Sequence, residues 1–287
     1  MRFVRYGALG QEKPGLIDEQ DNIRDLSAYV VDINPESLGD VSFLKKLKQL
    51  DISTLPLIDA KTRLGVCVGS IGKIICIGFN SQQHAAEIGI TRSPHSEPIV
   101  FMKPNSSLSG PNDPILFTRH TKKLDWEAEL AVVVGKKGKY IAVEEAKEYI
   151  FGYACCNDLS ERYLQFETED KQFTKGKCFD GAATLGPYLV TKSEIANAHD
   201  LQIKLWVNDH LRQDFNTADY IYHEEQIISY LSQYFTLYPG DIISMGSAPG
   251  SASAWGADCF LRPGDDVILQ ISGLGEQRQT VIHEPLL

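Results

Sequence analysis

No stretch of the chain approaches the roughly 18 apolar residues that a helix needs to cross a bilayer. The opening residues, Met1-Arg2-Phe3-Val4-Arg5-Tyr6, lack the apolar core of a secretory signal. Both absences lead us to expect a cytosolic protein with no membrane partner. Positive charge is in deficit: 28 Lys and Arg stand against 38 Asp and Glu, a formal net charge of −10. Nucleic acid is therefore not expected as the partner, because phosphate backbones are bound through a basic footprint. None of the six cysteines forms a C-x-x-C pair, and Cys155-Cys156 are adjacent. Metal-ligand spacing is missing from them, which argues against a cysteine zinc site. Free thiols are the expectation without a secretory signal. Internal repeats and low-complexity segments are absent as well.

What is present is an ordinary globular composition, 43% hydrophobic and 23% charged over 287 residues. A chain of this length buries a sizeable core without staples. The apolar pattern predicts strands at residues 2–6, 73–78, 98–103, 114–118, 125–135, 151–156, 201–207, 241–245 and 266–271. A hairpin is expected around Glu19-Gln20-Asp21-Asn22 and another at Asn208-Asp209. Helical periodicity marks residues 42–50, 81–90, 144–149 and 224–235. Strands dominate and helices are few, which points to an α+β, β-rich fold without regular βαβ alternation. A boundary near residue 70 separates a small N-terminal domain, 1–70, from a larger domain, 71–287.

The chemistry concentrates in acidic residues. Glu127 and Glu129 stand two apart on an expected strand and so share a face. The apolar run that follows suggests burial, and neighbouring buried carboxylates are costly unless something positive binds them. A divalent cation would serve; an edge strand with solvated glutamates is the plainer alternative. Asp158, at the end of the strand 151–156, is either a third carboxylate for the same ion or a turn cap. Three carboxylates make an all-oxygen set suited to Mg²⁺ or Mn²⁺ and, with more ligands, Ca²⁺. His84 and Glu87 share a face if 81–90 is helical, as an acid/base pair or as a surface salt bridge. Lys177, in Thr174-Lys175-Gly176-Lys177, and Lys103, after Val100-Phe101-Met102, are either anion holders or solvated lysines.

In their order these segments resemble the fumarylacetoacetate hydrolase family. The resemblance rests on Ile77-Gly78-Phe79-Asn80, His84-Ala85-Ala86-Glu87, Phe101-Met102-Lys103, Ser109-Gly110-Pro111, Asp125-Trp126-Glu127-Ala128-Glu129-Leu130, Phe151-Gly152-Tyr153 and Asn157-Asp158-Leu159-Ser160. It continues through Arg162, Gln165, Lys175-Gly176-Lys177, Gly186-Pro187, Pro239-Gly240-Asp241-Ile242-Ile243 and Gly273-Leu274-Gly275, and so covers about residues 71–275. The N-terminal Arg5-Tyr6-Gly7 and residues 10–15 look like the branch with 2,4-dioxo-3-deoxy sugar acid hydrolases and proteins labelled ureidoglycolate lyase. The family implies a mixed β-sandwich roll, a homodimer, and a metal held by Glu127, Glu129 and Asp158. It implies Lys177 as an electrostatic partner, His84 and Glu87 as an acid/base pair on a lid, and substrate contacts from Arg162 and Gln165. Lys103 and Ser247 join the candidate substrate-binding set. The segment Met245-Gly246-Ser247-Ala248-Pro249-Gly250 departs from the family's Thr-Gly-Thr-Pro-like loop, and Phe179-Asp180-Gly181 from its Phe-Asp-Thr.

The implied reaction is hydrolytic C–C cleavage of a small 2,4-dioxo acid, an acylpyruvate or a 2,4-dioxo-3-deoxy sugar acid. Oxaloacetate decarboxylation or keto–enol tautomerisation would use the same enolate without an attacking water. A non-catalytic, metal-stabilised binding module is the third reading, and the 245–254 loop is where it would differ.

Overall fold

The computed structural model describes residues 1–87, 89, 96–256 and 259–285. The expected helix at 81–90 therefore ends partly outside the described residues. Among those described, no helix is long and apolar enough to cross a membrane.

The strands are β1 (Arg2–Tyr6), β2 (Lys13–Ile17), β3 (Ile23–Asp25), β4 (Leu57–Ile58), β5 (Ile74–Gly78), β6 (Ile99–Lys103), β7 (Leu108–Ser109), β8 (Ile115–Phe117) and β9 (Leu124–Asp125). They continue as β10 (Ala128–Val134), β11 (Ile150–Asp158), β12 (Ser160–Glu161), β13 (Ala183–Thr191), β14 (Gln202–Val207), β15 (His210–Asn216), β16 (Ile242–Ser244), β17 (Asp266–Ile271) and β18 (Gly275–His283). The helices are α1 (Pro35–Gly39), α2 (Phe43–Leu47), α3 (Gln82–Glu87), α4 (Val143–Ala146), α5 (Phe173–Lys177), α6 (Glu224–Tyr234) and α7 (Ala252–Trp255).

A large mixed sheet runs in the order β4-β3-β2-β1-β13-β11-β10-β16-β5-β6, with β7 added beside β13. A second sheet, β15-β14-β17-β18-β8, packs over one face. The expected boundary near residue 70 falls between β4 and β5, and strands from both sides of it belong to the large sheet.

Strand β10 shows why the middle of this sheet is stable. All its residues are buried. Ala128, Leu130, Val132 and Val134 point into the core shared with the second sheet and α6. Ala131 and Val133 point into the opposite core, against Leu38 of α1 and Phe43 and Leu47 of α2. A strand covered on both faces reads as a continuous apolar run, as this one does.

Three strand expectations need correction. The run at 125–135 is not one strand. It breaks at Trp126-Glu127, where the Trp126 indole donates to Gly250 O at 3.0 Å and the Glu127 N–H donates to Asn157 Oδ1 at 2.9 Å. Strand β18 follows β17, so residues 266–271 do not close the chain. Its buried positions include Gln277 and Gln279, which break apolar alternation. Gln277 is satisfied by the carbonyls of Cys155 at 3.0 Å and Gly186 at 2.9 Å. Strand β13 was also not anticipated, because Gly186-Pro187 interrupts its apolar run. The turn at Asn208-Asp209 is as expected: both residues have positive φ, 48° and 64°, in a tight β14–β15 hairpin.

Candidate active site

The broken edge between β9 and β10 delivers Glu127 and Glu129 to one cavity, and the last residue of β11 delivers Asp158. Both follow from pairing, since Ala128 lies opposite Asn157 and Glu129 opposite Cys156. The Asp158 N–H donates to Glu127 O at 2.9 Å. All three carboxylates are buried, and one oxygen from each lies within 4.8 Å of the others.

Cations surround them. Lys177, at the end of α5, contacts Glu127 Oε2 and also lies 2.9 Å from Asp158 Oδ2. Lys103, at the end of β6, contacts Asp158 Oδ1. Arg162 donates to Glu127 Oε1 at 2.6 Å, to Asp125 Oδ2 at 2.7 Å and to Gln165 Oε1 at 3.0 Å. Its guanidinium fork thus fixes one site carboxylate against a buried structural one. Asp125 in turn accepts from the Ala252 N–H at 2.7 Å and ties the start of α7 to the site.

Electrostatics separate the carboxylates. Burial raises the Glu127 carboxyl, but Arg162 and Lys177 outweigh it and hold the group below the usual carboxylate range. Glu129 has no cation in direct contact, and the pull of Lys177 on it is outweighed. Burial, with Asp158 and Glu127 close by, pushes its carboxyl up to about 8. Burial lowers Lys177, but Asp158 and Glu127 raise it by more and keep it protonated. Glu129 Oε2 accepts from Ser244 Oγ at 2.5 Å and from the Gly246 N–H at 3.0 Å. Gly246 has φ +98°, and an added Cβ would lie 2.8 Å from Asn80 Cβ and 2.9 Å from Ile77 O. Only glycine fits there.

The donor set fits a hard divalent cation. It is all oxygen, converging and buried, and one member, Glu129, is raised by burial and by its carboxylate neighbours, which an added positive charge would relieve.

His84 is buried on α3. Its backbone N–H donates to Ser81 Oγ at 3.1 Å and its ring stacks on Phe79. His84 Nδ1 lies 3.4 Å from Glu87 Oε2, a long contact by hydrogen-bond standards. Glu87 accepts the Gly250 N–H on both oxygens, each at 3.0 Å. Ser247 is buried, and its hydroxyl accepts from Gln213 Nε2 at 3.1 Å. The cavity, about 20 Å³, is lined by His84, Glu127, Glu129, Asp158, Arg162, Gln165, Lys177 and Ser247, with Ile77, Phe79, Phe101 and Phe173 as apolar wall. Lys103 reaches it through Asp158, and Glu87 through His84. A larger surface cavity, bordered by Arg2, Asp18, Ser53 and Glu194, lies away from these groups.

The structure thus brings every sequence-derived candidate to one place. Sequence reasoning missed Asp125, Ser244 and the Gly246 N–H. Asp125 could have been noticed, since an aspartate directly before a buried Trp-Glu pair needs a partner and Arg162 supplies it.

A buried carboxylate cluster at one end of a strand-rich fold is the feature to place, and comparison with known proteins gives the family. Residues 73–282 match the fumarylacetoacetate (FAA) hydrolase C-terminal family, and the chain belongs to it. A protein of Burkholderia cenocepacia, provisionally named a hydrolase, is 44% identical over 284 residues, 99% of each chain. The maleylpyruvate hydrolase of Sphingobium sp. SYK-6, solved with manganese(II) and pyruvate, is 28% identical with TM-score 0.83, covering 99% of this chain and 100% of that one. A Mycobacterium abscessus structure assigned as a 2-hydroxyhepta-2,4-diene-1,7-dioate isomerase is 28% identical with TM-score 0.81 and full coverage of both chains.

Proposed function

We propose that the protein is a Mg²⁺- or Mn²⁺-dependent hydrolase that cleaves a C–C bond in a small 2,4-dioxo acid of the acylpyruvate class. The observation that carries this is the buried convergence of Glu127, Glu129 and Asp158 beside Lys177 and Arg162. The manganese and pyruvate bound by the Sphingobium maleylpyruvate hydrolase support it.

Glu127, Glu129 and Asp158 would hold the ion, which when bound supplies Lewis-acid polarisation of the substrate's oxygens. Lys177 places its ammonium where an enolate charge develops on the pyruvate fragment, and stabilisation there lowers the barrier. His84, at the cavity wall, takes a proton from water, with Glu87 at its Nδ1 orienting the ring. Arg162 holds Glu127 in place, and Gln165 and Ser247 face the substrate. Phe79, Phe101, Phe173 and Ile77 give the tail an apolar, flat-walled environment. That wall favours an acyl or unsaturated chain over the hydroxyl-rich tail of a 2,4-dioxo-3-deoxy sugar acid, whose hydroxyls would go unpaired. The reading includes a cytosolic homodimer, which sedimentation would check.

One observation favours a second reading. The His84–Glu87 contact is long, and the Gly250 N–H shares the Glu87 carboxylate. A site that isomerises or decarboxylates through an enolate needs no activated water, as the Mycobacterium abscessus isomerase assignment illustrates.

The test is a substrate screen on metal-stripped protein resupplied with Mg²⁺ or Mn²⁺. Acylpyruvates, oxaloacetate and 2,4-dioxo-3-deoxy sugar acids are compared by product analysis. Acylpyruvate cleavage is expected. CO₂ release from oxaloacetate, or double-bond migration without cleavage, would replace hydrolysis by the second reading.

A further inference from the structure

A second group of ligating side chains lies outside the carboxylate cavity. His199 sits on the loop between β13 and β14, and His223 and Glu224 begin α6. His199 Nε2 is 3.2 Å from Glu224 Oε2 and 3.1 Å from Glu225 Oε2. The His199 and His223 rings stack at 4.0 Å and 17°, so the His199 ring must turn for the in-plane lone pairs of both to meet one ion. One ligand atom from each of His199, His223 and Glu224 lies within 4.8 Å of the others. We propose that these three residues form a second cation site that takes a transition metal of the Zn²⁺ class.

The donor chemistry differs from that of the first cavity. Imidazole with carboxylate suits Zn²⁺ and its neighbours, whereas the all-oxygen cluster suits Mg²⁺ or Mn²⁺. An ion pair between His199 and the two glutamates does not account for His223. Its Nδ1 is buried and makes no full hydrogen bond among the described residues, with the Gln226 backbone N–H facing the His223 side chain as in a capping box, and a cation would give the ring a partner. Surrounding contacts hold the Glu224 carboxylate and the backbone of both histidines. The buried Tyr153 hydroxyl donates to Glu224 Oε1 at 3.2 Å and leaves Oε2 turned toward His199. The backbone N–H of His199 donates to Asn197 Oδ1 at 3.1 Å, and the backbone N–H of His223 to Gln226 Oε1 at 3.0 Å. A hydrogen bond to a ligating carboxylate, as from Tyr153 here, fixes ligand geometry in protein metal sites. Glu225 or water completes a four-ligand shell. His199 is about one-third exposed, so an ion enters without opening the fold, and once bound it ties the 197–200 loop to the start of α6.

The experiment titrates Zn²⁺ into the full, metal-stripped chain in saturating Mg²⁺, with a chromogenic chelator as competitor. Wild-type protein is expected to take up one Zn²⁺ per chain more than a folded His199→Asn/His223→Asn double variant. Tyr153→Phe should weaken that extra site by about 10–100-fold. In the unmodified chain, the ring signals of two histidines should move with the first equivalent of Zn²⁺ and not with Mg²⁺, a readout that does not depend on any variant folding. Equal Zn²⁺ uptake by wild type and the double variant, or a wild-type titration without the two-histidine response, overturns the proposal.

Discussion

Glu129→Gln offers a sharp physical test of the carboxylate cavity. The Glu129 carboxyl is moved from 4.5 to about 8 by burial and by the charges of Asp158 and Glu127. A raised folded value favours the protonated form. Its contribution to stability is therefore full below about 4.5 and is lost as pH rises toward 8. The metal-free protein should lose on the order of a few kcal/mol over that interval from this group alone. Glu127 has the opposite sign: its value is depressed, so its contribution is lost only as pH falls through the acid range. Two other groups act between pH 4.5 and 8, Glu224, raised by burial and Glu225, and His223, lowered by burial and His199. Comparing wild type with Glu129→Gln cancels both, because the amide mimics the protonated acid at one position only. The assay is urea unfolding of chelator-treated protein at pH 5 and pH 8. Wild type should fall relative to the variant as pH rises, and saturating Mg²⁺ should remove most of the difference. Parallel stabilities at both pH values would refute the electrostatic picture.

Other outcomes follow from single contacts. Asp125→Ala leaves a buried Arg162 guanidinium half paired and the Ala252 N–H without its acceptor. It should cost about 3–5 kcal/mol, read by denaturant midpoint. Gly176→Ala places a Cβ 2.7 Å from Gln165 Cβ and 2.9 Å from Glu161 O. It should cost about 1–3 kcal/mol and lower turnover by shifting Lys177, checked by unfolding and steady-state kinetics together. Glu87→Gln should bind the metal normally and turn over about 10²–10⁴-fold more slowly if Glu87 orients the base. An unchanged rate would remove Glu87 from the acid/base pair.

The parts of the fold that sequence revealed are those where side-chain pattern and packing agree. The apolar run of β10 and the Asn208-Asp209 turn are of this kind. Strand β18 was hidden because Gln277 and Gln279 are buried on hydrogen bonds rather than on apolar contact, and β13 because Gly186-Pro187 breaks its run. Local spacing suggested that Glu127 and Glu129 share a site. It could not show that Asp158 and Lys103 meet there, since β10, β16 and β5 stand between β11 and β6 in the large sheet. Nor could it show that Asp125 anchors Arg162 and α7. Charge neutralisation in the cavity is a long-range property, and Lys103, ambiguous in the sequence, is settled as buried only by the Asp158 carboxylate it meets.

The central claim is that Glu127, Glu129 and Asp158 hold a divalent ion on which turnover depends. Back-titration of Mn²⁺ into chelator-stripped protein, with acylpyruvate cleavage followed at each addition, tests it most directly. The account predicts no cleavage without metal, a rise that saturates at one active-site ion per chain, and no recovery in Glu127→Ala. Full cleavage in the stripped protein, or undiminished recovery in that variant, would contradict it.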